Sequence, residues 1–323
     1  MRDQHHPQGE RLPRPGLDWG GLLPLLVVYI VWGSTYLAIR VAVREGAGFP
    51  PFTLGLSRVL PAGLFLLLWA RLSRHRVWPR RSEWLTLVGS GLLLWLGGNG
   101  LVMVAELRAD SGYAALLITT TPFWVAALEA VLDRRGPSWL LAGSLLVGFS
   151  GVGVLSIPVL KEVGNADILA SGALLLAALS WASGTVLQQR RPVSLSPQAS
   201  SAYQQIIGGL GFLALVLLFQ EPYPQPTKEA MLAWGYLLVF GSILAFTAYV
   251  VALRRLPARV VMTYAYVNPV IAVLLGWWLL DEPITGWTVA GAVLVLVGVA
   301  GIFRERQLRR NQGFNVPPHS RRE

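Results

Sequence analysis

The chain has 323 residues, of which 54% are hydrophobic and 14% charged. A soluble domain carries about 25% charged residues, so a polar shell over a large core cannot be assembled here, which excludes a soluble enzyme and a disordered chain. The net charge of +10 does not mark a nucleic-acid partner, because arginine falls in short clusters between apolar runs rather than along one face.

The first 20 residues are polar, with several prolines and no apolar core of a cleavable leader. They are expected to form a disordered cytoplasmic tail. Helix-length apolar runs then recur along the chain. Five lie near 21–40, 52–71, 84–107, 112–132 and 138–157, and five more near 167–188, 201–219, 232–253, 259–280 and 286–303. None shows the short alternating pattern of a barrel strand. Residues 304–323 are arginine-rich and are expected to form a disordered basic tail in the cytoplasm. The expected fold is therefore an all-α integral membrane protein of ten transmembrane helices.

Lysine and arginine assign the sides. With the N-terminus inside, 21 of them fall in cytoplasmic segments, five fall outside (Arg40, Arg44, Arg108, Lys161 and Lys228), and Arg58 lies within a span. The asymmetry predicts both termini in the cytoplasm.

The two halves resemble each other at a spacing of about 147 to 149 residues. Ala105–Pro122 reads AELRADSGYAALLITTTP and Ala252–Pro269 reads ALRRLPARVVMTYAYVNP, which registers Arg108 with Arg255, Thr121 with Asn268 and Pro122 with Pro269. Trp139 to Gly143 likewise matches Trp287 to Gly291, and Trp32-Gly-Ser34 more weakly matches Trp181-Ala-Ser183. Five spans per half force the second half to insert upside down, giving an inverted repeat over 21–157 and 167–303. In that architecture the site lies at the repeat interface near the midplane.

Three segments carry a family resemblance: WGSTYLAIR from Trp32, NGLVMVAELRADSGYAALLITTTPFW from Asn99, and LPARVVMTYAYVNPVIAVLLGWWLLDEP from Leu256. With them the chain, over residues 20 to 305, resembles the EamA type of the drug/metabolite transporter superfamily. The resemblance implies ten helices in two inverted five-helix repeats, with spans 1, 3, 4, 6, 8 and 9 around a central cavity and spans 5 and 10 peripheral. It also implies export of metabolites, amino acids or drugs across a bacterial inner membrane.

The intramembrane polar residues give the candidate site. Pro122 and Pro269 are expected to kink spans 4 and 9 near their middles, freeing the carbonyls of Ile118 and Ala265. Kinks at matching places of two repeats point to a cavity, although packing also explains single ones. Arg58 and Glu129 are the ionisable groups inside spans, where a charge is costly. At 1.5 Å per residue, Arg58 lies about 9 Å below the outer end of its span, Trp32 and Asn99 about 12 Å and Thr121 about 13 Å. Glu129 lies about 5 Å from the inner end, too far to pair with Arg58. It either couples transport or snorkels toward Arg134; Arg58 either binds substrate or anchors to carbonyls or Glu106. Trp181 with Gln188, and Tyr264 with Asn268, share helix faces by spacing, as do Trp32, Tyr36 and Arg40. Tyr249 on span 8 completes the set, and Gln204 and Gln205 are weaker candidates. Aromatics and amides around a cavity suit a substrate with an apolar body and a few polar groups.

No phosphate-binding loop or HExxH motif is present, and the four histidines lie outside the spans. No cofactor, metal or catalytic residue is therefore expected. The partners expected are a small molecule and the lipid bilayer, with protons and a second copy of the chain left open. A membrane enzyme, a channel and a facilitator without ion coupling are the competing classes.

Overall fold

The computed structural model describes residues 18–109, 111–155, 157, 168–280 and 284–311. Among them every regular element is a helix. The first half holds α1 (Trp19–Val43), α2 (Pro51–Leu72), α3 (Arg81–Ala105), α4 (Ser111–Ile118), α5 (Thr121–Asp133) and α6 (Trp139–Leu155). The second holds α7 (Ile168–Arg190), α8 (Pro197–Phe219), α9 (Lys228–Arg255), α10 (Ala258–Val261), α11 (Tyr264–Leu280) and α12 (Gly286–Asn311). Seven described helical stretches are long and apolar enough to cross a membrane: α1, α2, α3, Ala114–Asp133, α7, α8 and α9. Helices suit that setting because hydrocarbon offers the backbone no partners. Their outer faces expose large apolar side chains, among them Leu26, Ile30, Leu64 and Leu68, while Leu25, Val28, Leu54 and Val59 on the same helices are buried.

The tightest pairs are α2 with α8 and α6 with α12. Small residues let their backbones meet. A Cβ on Gly298 of α12 would come to 2.5 Å from the backbone nitrogen of Gly148 on α6. On α2, one at Gly63 would lie 2.9 Å from the Ile206 nitrogen of α8.

Two features depart from plain α-helix at related places. Leu92–Gly100 in α3 and Leu237–Ala245 in α9 are π-helical, nine residues each. Their wider turns leave carbonyls for side chains: Ser180 donates to the Leu93 oxygen at 2.8 Å and Gln205 to that of Ser242 at 3.1 Å.

At its proline span 4 is broken rather than kinked. The chain leaves helix at Ile118 and re-enters it at Thr121, so Pro122 sits in the first turn of α5 instead of a helix interior. A first turn tolerates proline because its N–H has no helical acceptor. Thr119, Thr120 and Thr121 donate their hydroxyls to the carbonyls of Leu116, Leu117 and Ile118 at 2.5, 2.8 and 2.6 Å. The carbonyl that Pro122 cannot serve is thereby satisfied by its neighbour. In the second half the interruption falls at Met262–Thr263, between α10 and α11, and Pro269 lies inside α11.

The last helix runs past the expected end of its span to Asn311. Glu305, 2% exposed, pairs with Arg309 one turn on, which holds residues 304–311 in the helix. Of the expected tails, residues 1–17 and 312–323 lie outside the described residues, as do Asp110, Lys161, Asp281 and Glu282.

Polar contacts sort the connections into two ends. At one, Asp18 pairs with Arg255 at 3.8 Å, Arg76 with Glu83 at 2.5 Å and Arg190 with Asp133 at 2.6 Å, and Arg254 donates to the Leu195 carbonyl at 2.7 Å. This end collects the arginine-rich turns. At the other, the α1–α2 and α8–α9 connections are stitched by Gln225 N–H to Gly48 O, 2.9 Å, and Thr227 N–H to Ala47 O, 3.0 Å. Gly48 adopts φ +90°, and a Cβ there would collide with the Gln225 carbonyl. Glu221 completes the stitch by accepting the N–H groups of Phe52 and Thr53, at 2.9 and 2.7 Å, in the first turn of α2.

Candidate functional site

A cavity of about 60 Å³ lies where the halves meet. α1 supplies Trp32, Thr35 and Tyr36; α2 supplies Arg58; α3 supplies Trp95 and Asn99; α4, α7, α9 and α11 close it with Ile118, Trp181, Gly241 and Tyr264. Neither α6 nor α12 reaches it. Both π-helical stretches border it, and such stretches often occur at functional sites.

Trp32 is the centre of an aromatic cluster. Its ring centroid lies 5.3 Å from Trp181, 5.2 Å from Tyr249 and 5.0 Å from Tyr264. Its Nε1 donates to the Gly241 carbonyl in the π-helical part of α9 at 3.4 Å. One side chain of the first half thus packs on three helices of the second. Tyr249 is fully buried behind Trp32 and shares a 2.5 Å hydrogen bond with the Thr185 hydroxyl of α7.

The polar side of the cavity is Arg58 and Asn99. Arg58 is 3% exposed, donates through Nη2 to the Asn99 amide oxygen, and lies 5.7 Å from the centre of the Trp95 ring. That distance is within cation–π range. Glu106 is buried within electrostatic reach of Arg58 and Arg40, and its main-chain carbonyl accepts from Arg40 at 2.5 Å.

Of the residues singled out from sequence, the cavity brings together Trp32, Tyr36, Arg58, Asn99, Trp181 and Tyr264. The others sit elsewhere. Thr121 caps the end of α4. Asn268, in the amide orientation that satisfies both its atoms, donates to the carbonyls of Tyr29 and Tyr264 at 3.2 and 2.9 Å, tying α11 to α1. Gln188 accepts from Gln204 of α8 at 2.9 Å and does not line the cavity with Trp181. Glu129 neither meets Arg58 nor turns to Arg134. It lies 4.0 Å from Arg259, which also pairs with Glu305 at 3.5 Å. These charges border a separate polar pocket of about 330 Å³ at the arginine-rich end, lined by Glu129, Asp133, Arg135, Arg259 and Arg309.

Sequence reasoning missed Trp95, Arg259 and Glu305. Trp95 precedes Asn99 by four residues, the spacing of one helix face, so periodicity held its signal. Arg259 and Glu305 read as loop and tail residues, and only their packing makes them partners.

A solved crystal structure, 21% identical, matches 90% of this chain and 98% of its own with a TM-score of 0.71, which establishes the fold. The chain is 33% identical over 287 residues to "Uncharacterized inner membrane transporter YedA" of Escherichia coli K12, covering 85% of this chain and 90% of that protein. It is 29% identical over 287 residues to "Protein PecM" of Dickeya dadantii, covering 86% and 92%. The sequence profile of the EamA-like transporter family matches residues 19–157 and again 168–304. With both halves matched, the chain belongs to the EamA-like transporter family.

Proposed function

We propose that this protein is a secondary transporter of the inner membrane that moves a small amphipathic molecule outward by alternating access. The observation that carries the reading is the buried aromatic cavity lined from both halves, since a rocking of one half against the other must reshape it. About 60 Å³ holds only about two waters, whereas ligand pockets start near 300 Å³. In this conformation the cavity must therefore widen to admit such a molecule.

Ten spans in two inverted repeats, over 21–157 and 167–303, account for the architecture. The pairing of α2 with α8 and of α6 with α12, and the two nine-residue π-helical stretches 145 positions apart, support it. The gathering of the arginine-rich turns at one end supports cytoplasmic termini. Cysteines introduced at Arg74 and Arg254 should resist an impermeant thiol reagent applied outside intact cells; labelling at either overturns the orientation.

The function is tested in proteoliposomes with amino acids and small drugs, with and without a pH gradient. A carrier saturates and shows counterflow, and a channel does neither. Where protons drive accumulation, Glu129→Gln or Glu106→Gln should abolish the accumulation and spare counterflow. Counterflow that is indifferent to pH identifies a facilitator instead. Absence of saturable transport for every compound tried sinks the reading as a carrier of such molecules.

A further inference from the structure

The hydrogen-bonding balance of the central cavity is uneven. Arg58 Nε and Trp95 Nε1 belong to side chains 3% and 2% exposed, and neither has an acceptor among the described residues. Both residues line the cavity. Two of its acceptors are already engaged: the Asn99 oxygen receives Arg58 Nη2 and the Gly241 carbonyl receives Trp32 Nε1. Buried donors without acceptors are costly, and a ligand that supplies acceptor oxygens relieves that cost.

The charge points the same way. A guanidinium stays protonated in proteins, and the hydrogen-bond partner of Arg58 is a neutral amide. Glu106 lies within electrostatic reach but is not among the residues lining the cavity. The Trp95 ring already carries the Arg58 guanidinium, at 5.7 Å from its centre, so that face is not open to a second cation.

We propose that the cavity selects a substrate by its oxyanion end, a carboxylate on an apolar or aromatic body, which Arg58 and Trp95 receive through their unpaired N–H groups. The specificity rests on reading this cavity as the transport site. Arg58 then supplies the charge and a second donor direction, Trp95 a single N–H, and the aromatic cluster the surface for the apolar body. Cationic amphiphiles are excluded by repulsion from Arg58.

The test is equilibrium binding of radiolabelled phenylacetate, phenylacetamide and phenethylammonium to the full-length protein in nanodiscs. These probes share a body and differ in the charge of the head. The acid should bind at least about tenfold more tightly than the amide, and the amine should not bind, in keeping with the loss of one charge-assisted bond. Arg58→Gln should erase the preference and Arg58→Lys retain part of it. Trp95→Phe keeps the ring and removes only the N–H, so it should weaken the acid severalfold with unchanged elution from a sizing column, a readout that survives even where Arg58 variants misfold. Binding of the amine as tight as the acid, an unchanged preference in a folded Arg58→Gln, or no binding of any probe overturns the proposal. If the acid binds as expected but nothing is transported in proteoliposomes, the charge selection stands and the transport reading fails.

Discussion

Glu83 shows how much one side chain holds at the arginine-rich end. It is 6% exposed, accepts from the Ser194 backbone at 2.7 Å, the Ser194 hydroxyl at 2.6 Å and the Arg80 backbone at 2.7 Å, and pairs with Arg76. It joins the α2–α3 turn to the α7–α8 turn. Glu83→Ala leaves four donors without their acceptor and should cost about 2 kcal/mol or more, seen as a lowered unfolding temperature in detergent. Glu83→Gln, which can still accept, should lose less; equal melting of all three proteins would show that water replaces the carboxylate freely. Residues of this kind were hard to read from sequence. Glu83 and Glu305 sit at span ends among many charges, and the serines that donate to them, Ser194 and Ser138, lie 111 and 167 positions away. Trp32, Tyr36, Arg58 and Asn99 were legible because a polar or aromatic group deep in an apolar run has few other reasons to be there.

At the scale of elements, length and hydropathy marked the long helices but not their internal geometry. The π-helical stretches have ordinary apolar sequences, and nothing in their composition announces a wider turn. Where a kink at Pro122 was expected, the helix ends at Ile118 and resumes at Thr121, because three successive threonines cap α4. Trp139 and Trp287, which helped to register the two halves, lie on α6 and α12 and are exposed, so the repeat they revealed is not the cavity itself. The two prolines should accordingly differ. Pro122→Ala sits in a first turn beside satisfied carbonyls and should leave transport near wild type. Pro269→Ala adds an interior N–H within α11, which stiffens the helix that carries Tyr264, and should slow transport while the protein remains monodisperse. Equal effects of the two changes in a transport assay would show that the two prolines serve the same purpose.

For the whole molecule, the two ends are fastened differently. The arginine-rich end is bridged by the chain Glu129–Arg259–Glu305–Arg309 across α5, α10 and α12, and ion pairs of this length can part and reform. Arg259→Gln should loosen it. A cysteine introduced at Ala177, which lines the central cavity and is fully buried, should then react with a thiol reagent applied from that end in open membrane sheets, and react slowly in the parent. The same slow rate in both backgrounds would mean that these charges do not guard the passage.

The opposite end is held by backbone and by Glu221, and this has a consequence for synthesis. The carboxylate that caps the first turn of α2 at Phe52 is 169 positions downstream. At 5–20 residues per second that interval takes roughly 8–34 s, during which α2 has neither its cap nor α8 to cover the face around Gly63. The first half therefore waits in the bilayer as an unfinished body, open to proteases and to wrong partners. A fragment ending between residues 158 and 167 should decay quickly in a pulse-chase experiment and persist when the second half is co-expressed. Rescue should be weaker when that second half carries Glu221→Ala. A first half that persists alone would show that each repeat matures by itself and that the stitch forms between finished pieces.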